Sequence, residues 1–208
     1  MGTVQEMTRK WKNFISLLLL IILILSIIFI IIRFMQAPAE PSGTGQFTKV
    51  KSDYVLTLLQ CSLGIVVMKI PSFIERKKAI DIPDMMEIIY CLFLFCAIYL
   101  GEVRNFYYLV PYWDNILHAF SGAMLGALGI ILVSLLNDEK HLNVKLSPLF
   151  IAFFGFCFAL TAGTIWEIYE FLADGILSLN MQKFILANGS VLSGREALSD
   201  TMMDLIVD

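Results

Sequence analysis

Charge is what this sequence has least of. Of its 208 residues only 16% are Asp, Glu, Lys or Arg, while 58% are apolar. Soluble domains average about 25% charge, so an ordinary water-soluble globule is excluded. The net charge of −3 leaves no basic surplus, which argues against a nucleic-acid partner. Cysteine is scarce as well. Cys61, Cys91, Cys96 and Cys157 each sit inside an apolar stretch, and none forms a Cys-x-x-Cys pair. A disulfide framework is therefore excluded, and the four read as small buried hydrophobes that leave the redox compartment open. Also missing are a convincing phosphate loop, dinucleotide fingerprint, or Ser–His or Cys–His nucleophile motif.

What remains is long apolar runs. Residues 14–32 are unbroken by any charge and long enough to cross a ~30 Å hydrocarbon core as a helix. They follow Arg9, Lys10 and Lys12 in the manner of a secretory signal, but such signals carry only ~7–15 apolar residues and a small-residue cleavage site, so an uncleaved anchor is expected. The Pro/Gly-rich stretch at 37–46 reads as a linker. Further spans are expected at about 54–70, 85–100, 116–136 and 149–172, with a sixth helix starting near Ala197 and too short by Asp208 to cross, so the natural chain is expected to continue. The fold class that follows is all-α: a polytopic transmembrane bundle of about five full spans and part of a sixth. Its organisation is a cytoplasmic segment and anchor at 1–35, a linker at 36–52 and a helical domain at 53–208.

Orientation follows from the basic residues. With the N-terminus cytoplasmic, Arg9, Lys10, Lys12, Lys69, Arg76, Lys77, Lys78, Lys140 and Lys145 fall inside. Arg33, Lys49, Lys51, Arg104, Lys183 and Arg195 fall outside, and Tyr99, Tyr107, Tyr108, Tyr112, Trp113, Trp166 and Tyr169 suit an aromatic belt at that face.

Seven of the 18 acidic residues gather at one end of the last three helices. Asp114 and His118 are four apart and share a helical face. Glu167, Glu170 and Asp174 form a stripe, and Asp200, Asp204 and Asp208 repeat every fourth residue. Antiparallel succession brings these three ends to one membrane face. The stripe through Asp114 and His118 continues to Gly122 and Gly126, and Gly155, Ala159 and Gly163 lead on to Glu167. Small residues at that spacing let helices approach closely in lipid, so the acids extend packing seams and point into the bundle. Ionised carboxylates there need compensation by a metal ion, by protons, or by Arg104, Lys183 or Arg195. Carboxylates suit hard ions such as magnesium, and one His permits zinc, iron or manganese. The bland alternative is solvated helix-end acids. It suits Asp114 and Asp200, which complement a helix N-terminus, better than Glu167 and Glu170, placed near a C-terminus. Asp204 and Asp208 lie ~6 and ~12 Å further along the helix than Asp200. His118 as a lone membrane histidine has a packing alternative too, and His141 reads as an ordinary surface residue of the loop at 137–145. The connection at 175–198 is long enough to cap the cluster, and its apolar residues suggest that part of it rests at the interface.

At these residues the chain resembles the YjdF-like family of uncharacterised bacterial inner-membrane proteins. The stretches that carry the resemblance are YWDNILHAFSG at 112–122, WEIYEFLAD at 166–174 and GREALSDTMMDLIVD at 194–208, with GEVRNFYYLVP at 101–111. The resemblance runs from Asp53 to the end and leaves the anchor at 14–32 outside; it implies a bacterial inner-membrane location and a last helix that continues. More distantly the pattern is similar to VanZ-like membrane proteins, with Asp-x3-His, Glu-x2-Gln, an Arg and a helix of spaced Asp or Asn. The matching residues here are Asp114 and His118, Glu167 and Glu170, and Arg195 with Asp200 and Asp204. Glu170 stands where Gln is usual and makes this site more acidic. Neither resemblance implies an established substrate.

Three functions compete on these residues. The leading expectation is a membrane-embedded enzyme acting on a lipid-linked or amphipathic substrate at the outer face, with a divalent ion (zinc, manganese or magnesium) as cofactor. Its metal ligands would come from Asp114, His118, Glu167, Glu170, Asp200 and Asp204, with Glu167, Glu170 and Asp204 catalytic, and its substrate would meet Arg195, Arg104 and Trp166. Membrane lipids and a lipid-linked substrate are the expected partners, with no nucleic acid, and protein partners are left open. The alternatives are a cation or proton-coupled transporter and a non-catalytic membrane scaffold.

Overall fold

The computed structural model describes residues 2–39, 49–78, 82–136 and 146–208. His141 and its loop lie outside these residues, as does most of the linker. Of the described residues 81% are helical, with no strand among them. Among the described residues eight helices follow in order: α1 (Gly2–Gln36), α2 (Lys51–Val67), α3 (Ile70–Lys78), α4 (Asp84–Val103), α5 (Phe106–Leu109), α6 (Trp113–Leu136), α7 (Pro148–Leu177) and α8 (Arg195–Val207). Among the described residues five segments are long and apolar enough to cross a membrane: Gln5–Gln36, Lys51–Glu75, Asp84–Val103, Trp113–Ser134 and Pro148–Leu177. The protein is a multi-pass membrane protein. Apolar side chains left facing outward, such as Leu25, Phe29, Phe153, Phe156 and Ile165, are what a surface against acyl chains requires.

The helices fall into two compact units. The first comprises Met1–Pro111 with Ile185–Ser190, the second Tyr112–Phe184 with Val191–Asp208. In the first unit, Leu19, Leu23 and Ile30 of α1 pack with Tyr54 and Cys61 of α2 and with Cys91, Leu94 and Ile98 of α4. Gly64 allows the close approach, since a Cβ there would lie 2.5 Å from Ile98 Cδ1. Lys12 ties α1 to the start of α4 through ion pairs with Asp84 and Glu87 at 2.5 and 2.8 Å. The last nine residues of α4, Phe95–Val103, are wound as a π-helix, which closes with Arg104 N–H donating to the Tyr99 carbonyl at 2.9 Å. Gly101 faces the Tyr107 ring so closely that a Cβ there would displace the ring.

In the second unit, α6 and α7 run antiparallel with α8 packed against both. Ser147 caps α7 by accepting from Phe150 N–H at 3.2 Å, and Pro148 occupies the first turn, where its missing N–H costs nothing. Glycines set the α6–α7 distance. A Cβ on Gly155 would meet Ile130 Cγ1 at 2.7 Å and the Gly126 carbonyl at 2.9 Å, and one on Gly129 would meet Gly155 Cα at 3.1 Å. Helix α7 extends to Leu177, five residues beyond the sequence-based limit, so Glu167 and Glu170 sit well inside a helix and not at its end.

Candidate metal centre

The close α6–α7 seam delivers polar side chains into one buried volume at the α8 junction. His118 of α6 is 6% exposed, Glu167 and Glu170 of α7 are 5% and 9%, and Asp204 of α8 is 6%. Asp114 stands one turn before His118 and is partly exposed. One ligand atom each from Asp114, His118 and Asp204 can be chosen so that all lie within 4.8 Å of one another.

His118 is surrounded by acceptors. Its Nδ1 lies 3.2 and 3.3 Å from the two carboxylate oxygens of Asp208, whose side chain is 1% exposed. Its Nε2 lies 3.5 Å from Glu167 Oε1 and 3.8 Å from Asp114 Oδ1. An ionised carboxylate only accepts, so Asp208 favours a proton on Nδ1, and in the neutral ring that leaves the Nε2 lone pair facing Glu167 and Asp114. Lone pair against two carboxylates is repulsive unless a cation, metal or proton, stands among them. Glu167 Oε1 is itself buried with no hydrogen bond, although the other oxygen accepts from Gln182 Nε2 at 3.4 Å.

The remaining partners orient these groups. Asn115 Nδ2 donates to Asp204 Oδ1 at 2.9 Å. Asp174, three residues before the end of α7, accepts from the backbone N–H groups of Met181 and Gln182 at 2.7 and 3.0 Å. That clamp turns the connection after α7 back over the cluster, where Leu179 and Met181 are buried and Gln182 also reaches Thr201 at 3.4 Å. Ile176 and Leu177, by contrast, face outward.

Burial, followed by the charge of Asp114, raises Asp204 to about 7, against an opposing pull from His118. Asp200, one turn earlier and partly exposed, is raised for the same first two reasons.

The sequence-based candidates divide. Asp114, His118 and Asp204 form the compact trio, and Glu167 meets His118 directly. Glu170 is buried a turn beyond, in the fields of Asp114, Glu167 and Asp174 with Lys183 opposing them. Asp200 stands outside the trio. Arg195 opens α8 with an exposed side chain, and Trp166 is 45% exposed and rests against Tyr169 with ring centroids 5.3 Å apart. Arg104 belongs to the first unit. Three groups escaped the candidate set: Asp208, Asn115 and Gln182. Asp208 was visible as the third member of the 200/204/208 repeat. Gln182 carries no periodic signal, because it comes from irregular chain.

Residues 14–208 match the family described as predicted membrane protein (DUF2238). The match takes in the anchor helix and linker, which the motif-based resemblance had left outside. A protein of Thermotoga maritima, described as uncharacterized, is 27% identical over 139 residues, which is 66% of this chain and 63% of that protein. The chain thus spans less than two thirds of that relative's length. No solved structure matches it. With the family match running over all but its first residues, the chain belongs to the DUF2238 family of membrane proteins.

Proposed function

We propose that the second unit is the working part of a membrane-embedded, metal-dependent enzyme that acts on a lipid-linked or amphipathic substrate. Asp114, His118 and Asp204 would hold a divalent ion. The observation that carries this reading is the buried His118 ring with acceptor carboxylates at both nitrogens, beside a Glu167 oxygen that has no hydrogen bond.

The donor set fits such an ion. Two ligands about 2.1 Å from one metal stand at most ~4.2 Å apart, so the widest spacing of 4.8 Å needs only a small closing rotation. Asp208 on Nδ1 supplies the carboxylate that metal-bound histidines commonly carry on their second nitrogen. One His with carboxylates accommodates zinc or manganese, and magnesium if the carboxylates dominate. When bound, the ion would polarise a phosphoryl or carbonyl oxygen and acidify a water.

The protein's own groups divide the remaining work. Glu167, with no hydrogen bond at Oε1, would take a proton from a water in the cluster, as a general base must. Asp208 holds the imidazole in one tautomer, and Asn115 fixes the Asp204 carboxylate. Gln182 and the clamped connection shield the site from bulk water. The VanZ-like order of acidic residues supports the same grouping.

Arg195 and Trp166, exposed on α8 and α7, would meet the substrate's anionic and apolar parts. Lys and Arg placement supports a cytoplasmic N-terminus in a bacterial inner membrane, with the site at the outer face. A transporter would need a polar path across. The stretches at 128–136 and 149–158, away from the cluster, are almost wholly apolar, which favours the enzyme.

Elemental analysis of protein purified without chelator tests the proposal. About one divalent ion per chain is expected, with Asp204→Asn and His118→Gln losing it by 10-fold or more in affinity. Metal-free wild-type protein whose stability is indifferent to added zinc or manganese would defeat it.

A further inference from the structure

The first unit contains a second polar constellation that the metal centre does not use. A cavity of 570 Å³ opens between α1, α2 and the end of α4, within the ~300–1,000 Å³ typical of ligand sites. Arg33, Lys49, Arg104 and Asn105 line one end, and Ile22, Leu25 and Phe29 line the other. Arg33 and Ile22 are both on α1 and lie ~16 Å apart along its axis. That is about the depth of one leaflet of a ~30 Å hydrocarbon core. The wall therefore passes from guanidinium to hydrocarbon over the distance that separates a lipid's headgroup from its chain ends.

The basic groups are not equivalent. Lys49 is held in place, donating to Thr57 Oγ1 at 3.2 Å and to the Glu102 carbonyl at 2.5 Å, over the Tyr54 ring. Arg33 and Arg104 are exposed, and among the described residues neither is ion-paired with an acid. Asn105 has a left-handed backbone (φ 63°) where the π-helical stretch of α4 ends, and its Oδ1 is buried with no hydrogen bond. π-helical turns are often found at functional sites. Two available guanidiniums, an unsatisfied acceptor and an outward-facing apolar wall (Leu25 59% and Phe29 53% exposed) meet in one cavity.

We propose that this cavity binds an anionic phospholipid. Its phosphate pairs with Arg33 and Arg104, a headgroup hydroxyl donates to Asn105 Oδ1, and the start of one acyl chain lies along Ile22, Leu25 and Phe29. Guanidinium matches phosphate through paired, charge-assisted hydrogen bonds, a match that a neutral zwitterionic headgroup satisfies less well. The site lies wholly within the first unit and is independent of the metal reading.

The test uses the full chain in nanodiscs of equal phosphatidylcholine and phosphatidylglycerol, with retained lipids counted by native mass spectrometry. One phosphatidylglycerol is expected to remain in preference to phosphatidylcholine. Arg33→Gln and Arg104→Gln should each lower that preference about fivefold, the effect of one basic side chain on an anionic lipid. Arg9→Gln, at the opposite end of α1, should leave it unchanged. Equal retention of the two lipids by wild-type protein overturns the proposal whatever the variants do. So does a double Arg variant that keeps the wild-type preference. Added inorganic phosphate should not displace the lipid. Displacement at millimolar concentration, with the same Arg dependence, would identify a free-phosphate site and overturn the lipid.

Discussion

At the scale of single residues, the cluster is governed by what His118 can and cannot pair with. Its Nδ1 is satisfied by Asp208, and its Nε2 faces two more acceptors, so each carboxylate removed has a separable effect. Glu167→Gln should stabilise the metal-free protein by about 1–3 kcal/mol, because it replaces a buried carboxylate, one of several converging on His118 and without a hydrogen bond at Oε1, by a neutral amide that can also donate. The same change should weaken metal binding, and thermal unfolding with and without chelator reads both effects. Asp204 gives a pH signature. Its folded value near 7 exceeds the ~3.9 of an unfolded Asp, so the folded protein binds the extra proton between these values. The stability contributed by that proton is complete below about pH 4 and is lost as pH rises through 7. Metal-free protein should therefore become less stable between pH 4 and 7 by an amount that Asp204→Asn abolishes. Metal affinity should move the opposite way, rising with pH because the ion displaces the proton. Isothermal titration with manganese at several pH values measures that slope.

At the scale of elements, glycines decide how near the helices come and so where the acids meet. A Cβ on Gly163 would collide with the Asp208 carboxylate, and one on Gly155 would strike α6. Gly155→Leu should cost roughly 1–3 kcal/mol as an overpacked seam. Gly163→Ala should disturb the site more than the fold, since what it displaces is the side chain that holds His118. Gly175 has nothing within 4 Å of its Cβ position, so Gly175→Ala in the last turns of α7 should be neutral or stabilise by about 0.5–1 kcal/mol. Melting temperatures of the three variants in one detergent give the comparison. Much of this level was legible in the sequence. Apolar length gave all five spans, because a membrane helix has little other way to satisfy its backbone. Four of them agree to within about five residues at each end, while the first starts at Gln5, nine residues before the apolar run at 14–32. Period-four stripes put His118 with Asp114 and Glu167 with Gly163, since helical geometry fixes those neighbours. The π-helical end of α4 was not legible. It begins inside one continuous apolar helix, and no local pattern announces it. Nor was the turn of chain that brings Gln182 beside Glu167, which depends on Asp174 receiving two backbone N–H groups far along the connection.

At the scale of the whole molecule, two helical units share one membrane-embedded chain, and each has a polar feature inside an apolar shell. The first has basic groups above a hydrocarbon-lined cavity. The second has acids around a histidine, and there the chemistry is proposed to reside. Charged side chains buried in or lining a cavity of an otherwise apolar bundle are the clearest functional signal the fold offers. If the acidic cluster is a metal centre, ion binding should stabilise the folded state by mass action, and chelator should lower the melting temperature in proportion to affinity. The most direct measurement is anomalous diffraction from crystals of the protein grown with manganese. The account predicts one strong peak within about 2.0–2.3 Å of Asp114, His118 and Asp204, with Asp208 on the far nitrogen of the imidazole. A map with no peak at that junction, and with those side chains turned apart into separate surroundings, would contradict it.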